Sequence, residues 1–184
     1  MFTGRELFDI IAMTIATGYI FMDFFQKESS DDPVTSWMQN SDFWERLKYS
    51  ASIVAPAIIL HEFGHKFVAM AYGLDATFTA AYYFLAIGVV LKLVGFPFLI
   101  IVPAYVSISG QGTAAQFALI AFAGPAVNLV LGVGAWAFMK IQNPVNRRFW
   151  YYTMYINFFL FVFNMIPIPG FDGSRVFAYL ASLF

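Results

Sequence analysis

Apolar positions along this chain do not alternate with polar ones; they run in long blocks separated by short polar stretches. The first block, Leu7 to Phe25, carries only Asp9 and Asp23 as charges, each near an end, where a carboxylate can reach the membrane interface. The block is long for a secretory signal and no small-residue cleavage site follows it, so a retained span is expected. Gln26 to Arg46 is polar and acidic with Pro33, which reads as a surface loop. Within it Trp37, Phe43 and Trp44 interleave with polar residues, a pattern suited to a helix lying along the membrane surface.

Leu47 to Leu74 predicts a second span. Ala76 to Gly110 is almost wholly apolar, yet Gly95, Pro97 and Pro103 argue against one continuous helix. Ala114 to Met139 and Phe149 to Met165 predict two further spans, separated by a polar loop that contains Pro144. Pro167, Pro169 and Gly170 then lead into a short helix from about Asp172 to Phe184. The expected fold is an α-helical, multi-pass membrane protein with about four full spans. The two arms of Ala80 to Ser109, split at Gly95-Phe96-Pro97, are about 14 residues each, short of the roughly 20 that a crossing helix needs. This segment is expected to be re-entrant or bent, and Val102 to Ser109 is a candidate for a short in-membrane β element whose edge can pair with an extended peptide. Residues 1–46 form an N-terminal span and acidic, aromatic loop; residues 47–184 form the core.

Composition sharpens this picture. Sixty per cent of the 184 residues are hydrophobic and only 11% are charged, about half the charge of a soluble domain. Eight of the eleven acids lie in the first 45 residues, leaving Glu62, Asp75 and Asp172 in the apolar remainder. A net charge of −1 argues against nucleic acid as a partner. The absence of cysteine excludes thiolate ligands, a thiol nucleophile and disulfides.

The two histidines, His61 and His65, fall in the stretch His-Glu-Phe-Gly-His, midway along the second span. Residues four apart project from one helical face, so both imidazoles can grip one metal ion while Glu62 serves as general base towards the attacking water. Ionisable groups inside a span cost several kcal/mol unless compensated, and a bound dication compensates them. Catalytic zinc usually takes three protein ligands, and the acids beyond the histidines offer two candidates. Asp75 lies near the mouth of the same span and is the weaker one. Asp172 follows a rigid, proline-rich entry, and its alternative role is to cap the last helix.

His61-Glu62-Phe63-Gly64-His65, Gly124-Pro125-Ala126-Val127-Asn128, and Asn164 to Gly173 with its Asp-Gly pair together resemble the site-2 proteases, zinc metalloproteases that cut within the membrane. The resemblance covers the chain from about residue 47 onward. It implies one Zn²⁺ per chain held by His61, His65 and Asp172, with Glu62 as base. It also implies that Asn128 and Asn164 lie near the site and contact substrate backbone or the oxyanion. The implied partners are the lipid bilayer, in the first instance the cell membrane, and the transmembrane segment of a membrane-anchored substrate. Two other classes remain open: a metal-binding transporter, which needs more carboxylates along an ion path, and an inert membrane scaffold with a structural zinc, which needs a fourth ligand.

Overall fold

The structure is a computed structural model that describes residues 2–26, 42–96, 102–142 and 146–184. Helix α1 (Gly4–Phe21) runs into a 3₁₀ turn (Met22–Gln26). Then follow α2 (Phe43–Ala71), strand β1 (Asp75–Ala80), α3 (Tyr82–Leu93), strand β2 (Ala104–Ser109), α4 (Ala114–Gln142), α5 (Arg147–Asn164) and α6 (Asp172–Ala181). Among the described residues, three helices are long and apolar enough to cross a membrane: Gly4–Phe25, Phe43–Ala71 and Ala114–Gln142. The protein is therefore a helical membrane protein with three candidate spans and a shorter apolar helix, α3. α5 is 18 residues long, but two arginines open it and tyrosines, asparagine and threonine dilute its apolar run.

Some boundaries differ from the sequence reading. Phe43 and Trp44, expected in a surface loop, open α2 itself. The Asp42 carboxylate accepts the Glu45 backbone N–H at 2.9 Å, which satisfies one of the free donors of that helix start and sets where it begins. Trp37, Pro97 and Pro144 lie outside the described residues. α2 ends at Ala71, three residues earlier than expected, because Gly73 takes a φ of +75° and Leu74 N–H reaches back to the Ala69 carbonyl at 3.1 Å. This closing bond stops the helix and directs the chain into β1.

The described residues group into two compact units: residues 1–58 with 79–105, and residues 59–78 with 106–184. In the first, α1 buries polar residues together with Met13 and Ile20 and turns large apolar residues outward. Phe8, Ile11 and Ile15 are exposed while Glu6, Asp9 and Thr17 are buried, the arrangement that a lipid solvent favours. Asp9, expected to reach headgroups, instead turns inward: its carboxylate accepts the Ala80 N–H at 3.3 Å and the Tyr82 hydroxyl. At the other end of α1, Asp23 pairs with Arg46 at 2.9 Å and with Lys92 at 3.2 Å, and Lys92 also donates to the Tyr19 carbonyl.

β1 and β2 form a two-stranded sheet. Ala81 N–H donates to the Pro103 carbonyl at 3.0 Å, and Gly110 lies against Leu74, so the strands run antiparallel. The ends of the apolar segment between them therefore return to one place. In an antiparallel pair successive residues turn their amide groups alternately towards and away from the partner. With Ala81 and Pro103 facing each other, Ala76 and Ala80 face outward on β1 and Val106 faces outward on β2. The second unit joins Ile59–Phe78 to α4, α5 and α6, with α4 packed against α5 and α6.

A candidate metal centre

His61 and His65 sit one turn apart on α2, buried to 6% and 7% exposure. Each ring is fixed through its Nδ1. His65 Nδ1 lies 2.7 Å from the Ile120 carbonyl of α4. A carbonyl only accepts, so that nitrogen carries the proton. His61 Nδ1 lies 2.6 Å from Asn128 Oδ1, also on α4. Both rings then turn their unprotonated Nε2 atoms to one point, 3.0 Å apart.

Asp172 completes the cluster from α6. Its Oδ2 lies 3.2 Å from His61 Nε2 and 3.3 Å from His65 Nε2. The residue before it, Phe171, is the helix cap and no side chain caps the helix, so Asp172 is not the cap that its position allowed. Its carboxylate is left to face the histidines. Close approach of α6 to the end of α5 depends on Gly173, where an added Cβ would lie 2.8 Å from Met165 Cα and closer still to that residue's carbonyl.

Three lone pairs therefore converge with no donor hydrogen among them, which is repulsive unless a cation sits between them. Tetrahedral zinc with bonds of about 2.0–2.1 Å separates its ligands by about 3.4 Å, close to the 3.0–3.3 Å edges observed. The donor set of two imidazoles and one carboxylate is that of catalytic zinc. Among the described residues this trio is the group of histidines and acids that could hold a metal ion. The residues fit the ion.

Glu62, the next residue on α2, is 8% exposed. The Val106 backbone N–H, on the outer edge of β2, faces its carboxylate. Asp75, the weaker ligand candidate, is an exposed residue of β1 outside the trio. Asn128 is fully buried and contacts His61 rather than open space. Asn164 ends α5 and its side chain donates back to Leu160 O at 3.0 Å. Asn157, which the sequence reading passed over, is buried and accepts from Asn128 Nδ2 at 2.9 Å. In sequence it is one of two asparagines in α5, with nothing local to set it apart.

Gly124 shapes the floor of this site. A Cβ there would stand 2.7 Å from His61 Nε2 and nearer still to His65, in the space between the ligand nitrogens. Gly124→Ala should cost about 1–3 kcal/mol as overpacking and lower affinity for zinc at least tenfold, as measured by chelator competition. Unchanged affinity would mean that the metal lies elsewhere.

A family model described as peptidase family M50 matches residues 141–183. The chain is 32% identical over 180 residues to a protein of Methanocaldococcus jannaschii named "Putative zinc metalloprotease", an alignment covering 95% of this chain and 84% of that protein. It is 33% identical over 133 residues to a protein of the same description from Mycolicibacterium smegmatis, covering 64% of this chain and 51% of that one. This chain thus spans about half the length of the mycobacterial relative. No solved structure matches.

Proposed function

The chain belongs to the site-2 proteases, peptidase family M50, and from that premise we propose that it hydrolyses a peptide bond within or near the transmembrane helix of a membrane-anchored substrate. The observation that carries this reading is the convergence of His61, His65 and Asp172 beside Glu62 in an apolar span. We assign one zinc ion per chain to that trio. When bound, the ion supplies Lewis acidity at the scissile carbonyl and makes an attacking water acidic near neutral pH.

The residues of the chain do the rest. Glu62 takes a proton from the attacking water and returns it to the leaving amine. Asn128 orients His61, and Asn164 is kept as a candidate for contact with substrate backbone. A helical substrate hides its own peptide bonds in its hydrogen-bond ladder, so the segment to be cut must unwind and find new backbone partners. The outer edge of β2 offers them next to the base, since Val106 faces outward beside Glu62. The outer edge of β1 is taken: Lys66 Nζ donates to the Ala76 carbonyl at 2.7 Å, and Asp9 accepts from Ala80 N–H. An unwound substrate therefore adds to β2.

In this reading the core is residues 47–184 of a multi-pass protein of the cell membrane. The Arg147–Asn164 helix adds a fourth span to the three candidates, and the β1–α3–β2 segment enters and leaves on one side. The test is purified protein with a single-span substrate, before and after removal of zinc by a chelator. Cleavage that stops on chelation and returns with zinc is expected. Metal flux across liposomes without cleavage would instead identify a transporter. Bound zinc with neither activity would identify an inert scaffold.

A further inference from the structure

Behind His61 runs a chain of hydrogen bonds whose direction is set far from the metal centre. Its fixed point is the backbone carbonyl of Thr153 on α5, which can only accept. Asn157 Nδ2 donates to it at 2.8 Å. The other end of that amide, Oδ1, must then face Asn128, whose Nδ2 donates to it at 2.9 Å. The remaining oxygen of Asn128 must in turn face His61, 2.6 Å from Nδ1. An oxygen there demands a proton on Nδ1, which leaves Nε2 unprotonated and turned towards His65 and Asp172. Each link excludes the alternative: an amide turned the other way anywhere in the chain sets donor against donor or acceptor against acceptor. The asparagines are 0% and 1% exposed, so water has little access to repair such a mismatch.

We propose that Asn157 is a positioning residue that sets the tautomer of His61 through Asn128 and so makes Nε2 available as a ligand. Nothing in Asn157 touches the donor trio; it acts by denying Asn128 the freedom to flip. Without it, Asn128 can rotate and present its NH₂ to His61 Nδ1. The proton then moves to Nε2, where it blocks metal binding. Partners one step behind a ligand typically change affinity 10–100-fold. This inference places Asn157 in the same range although it lies a further step away. It rests on the reading of His61 as a zinc ligand.

The experiment compares the full-length protein with Asn157→Leu and Asn157→Asp, using two readouts. Zinc affinity is measured by chelator competition, and the His61 tautomer by ¹⁵N NMR of the metal-free protein. Asn157→Leu should bind zinc 10–100-fold more weakly and shift His61 towards the Nε2–H form. Asn157→Asp, held as the neutral acid at this buried position, donates its O–H to the Thr153 carbonyl and keeps an acceptor towards Asn128, so it should stay within about threefold of the unaltered protein with the Nδ1–H form retained. If the Leu variant fails to fold, the Asp variant decides: an Nε2–H tautomer in it overturns the proposal. So does a folded Leu variant with unchanged tautomer and affinity. An unaltered protein that binds no zinc would instead overturn the ligand reading, while the tautomer measurements still judge the relay.

Discussion

Replacing Glu62 by Gln will leave zinc content near one per chain while cleavage falls by about 10²–10⁴-fold, the usual contribution of a general base. That loss corresponds to about 3–5 kcal/mol of transition-state stabilisation. Gln keeps the size and shape of the side chain, so the fold around α2 and β2 should survive. What it lacks is basicity, and none of the proposed ligand atoms is touched. Zinc stoichiometry and turnover, measured on the same preparation, therefore separate binding from chemistry. A variant that cleaves at the native rate would eliminate Glu62 as the base, whatever its metal content.

Asp172→Asn should act on the other side of that division. The amide is nearly isosteric with the carboxylate but is a poor ligand for zinc. Because Phe171 rather than Asp172 occupies the cap position of α6, the substitution should leave that helix intact. Its NH₂ group or weaker oxygen would then face two unprotonated imidazole nitrogens in place of a full negative charge. Zinc affinity should fall at least about a hundredfold, beyond the range of a supporting partner, and activity should fall with it. Activity should return in part at high zinc concentration, which distinguishes lost affinity from a lost catalytic group. Full zinc and full activity in Asp172→Asn would remove this residue from the site and bring Asp75 back as the ligand to examine.

The parts of this site differ in how far the sequence alone displays them. His61, Glu62 and His65 are legible because they share one helix, where a spacing of four maps directly onto one face. Asp172 is a long-range partner. The residues alone favoured it over Asp75 but left a cap role compatible with it, and only the placement of its carboxylate beside His61 and His65 separates these roles. Asn157 was not legible at all, since several amides in apolar helices look alike until packing of α4 on α5 pairs one of them with Asn128. The strands were hard for a different reason. Asp75–Ala80 alternates polar and apolar residues, but six residues beside a long apolar run are too short a window for that period to stand out, so hydropathy does not separate β1 from the run that follows it. The ends of α2 were moved by local backbone bonding that hydropathy does not register: Asp42 opens it early and the Ala69–Leu74 bond closes it early.

The polar clasps between α1 and α3 also bear on how this protein is assembled during synthesis. α3 has 12 residues, about 18 Å of helix against roughly 30 Å of hydrocarbon, so partitioning alone cannot hold it at a fixed depth. Its two ends are held by groups of α1 and the turn after it: Asp9 at Ala80 and Tyr82, and Asp23 with the Tyr19 carbonyl at Lys92. The ribosome makes these groups first, so the receiving surface is in place before α3 emerges. The first helix thus serves as a template on which a segment too short to insert by itself is laid down, and the order of the helices along the gene becomes part of the folding pathway.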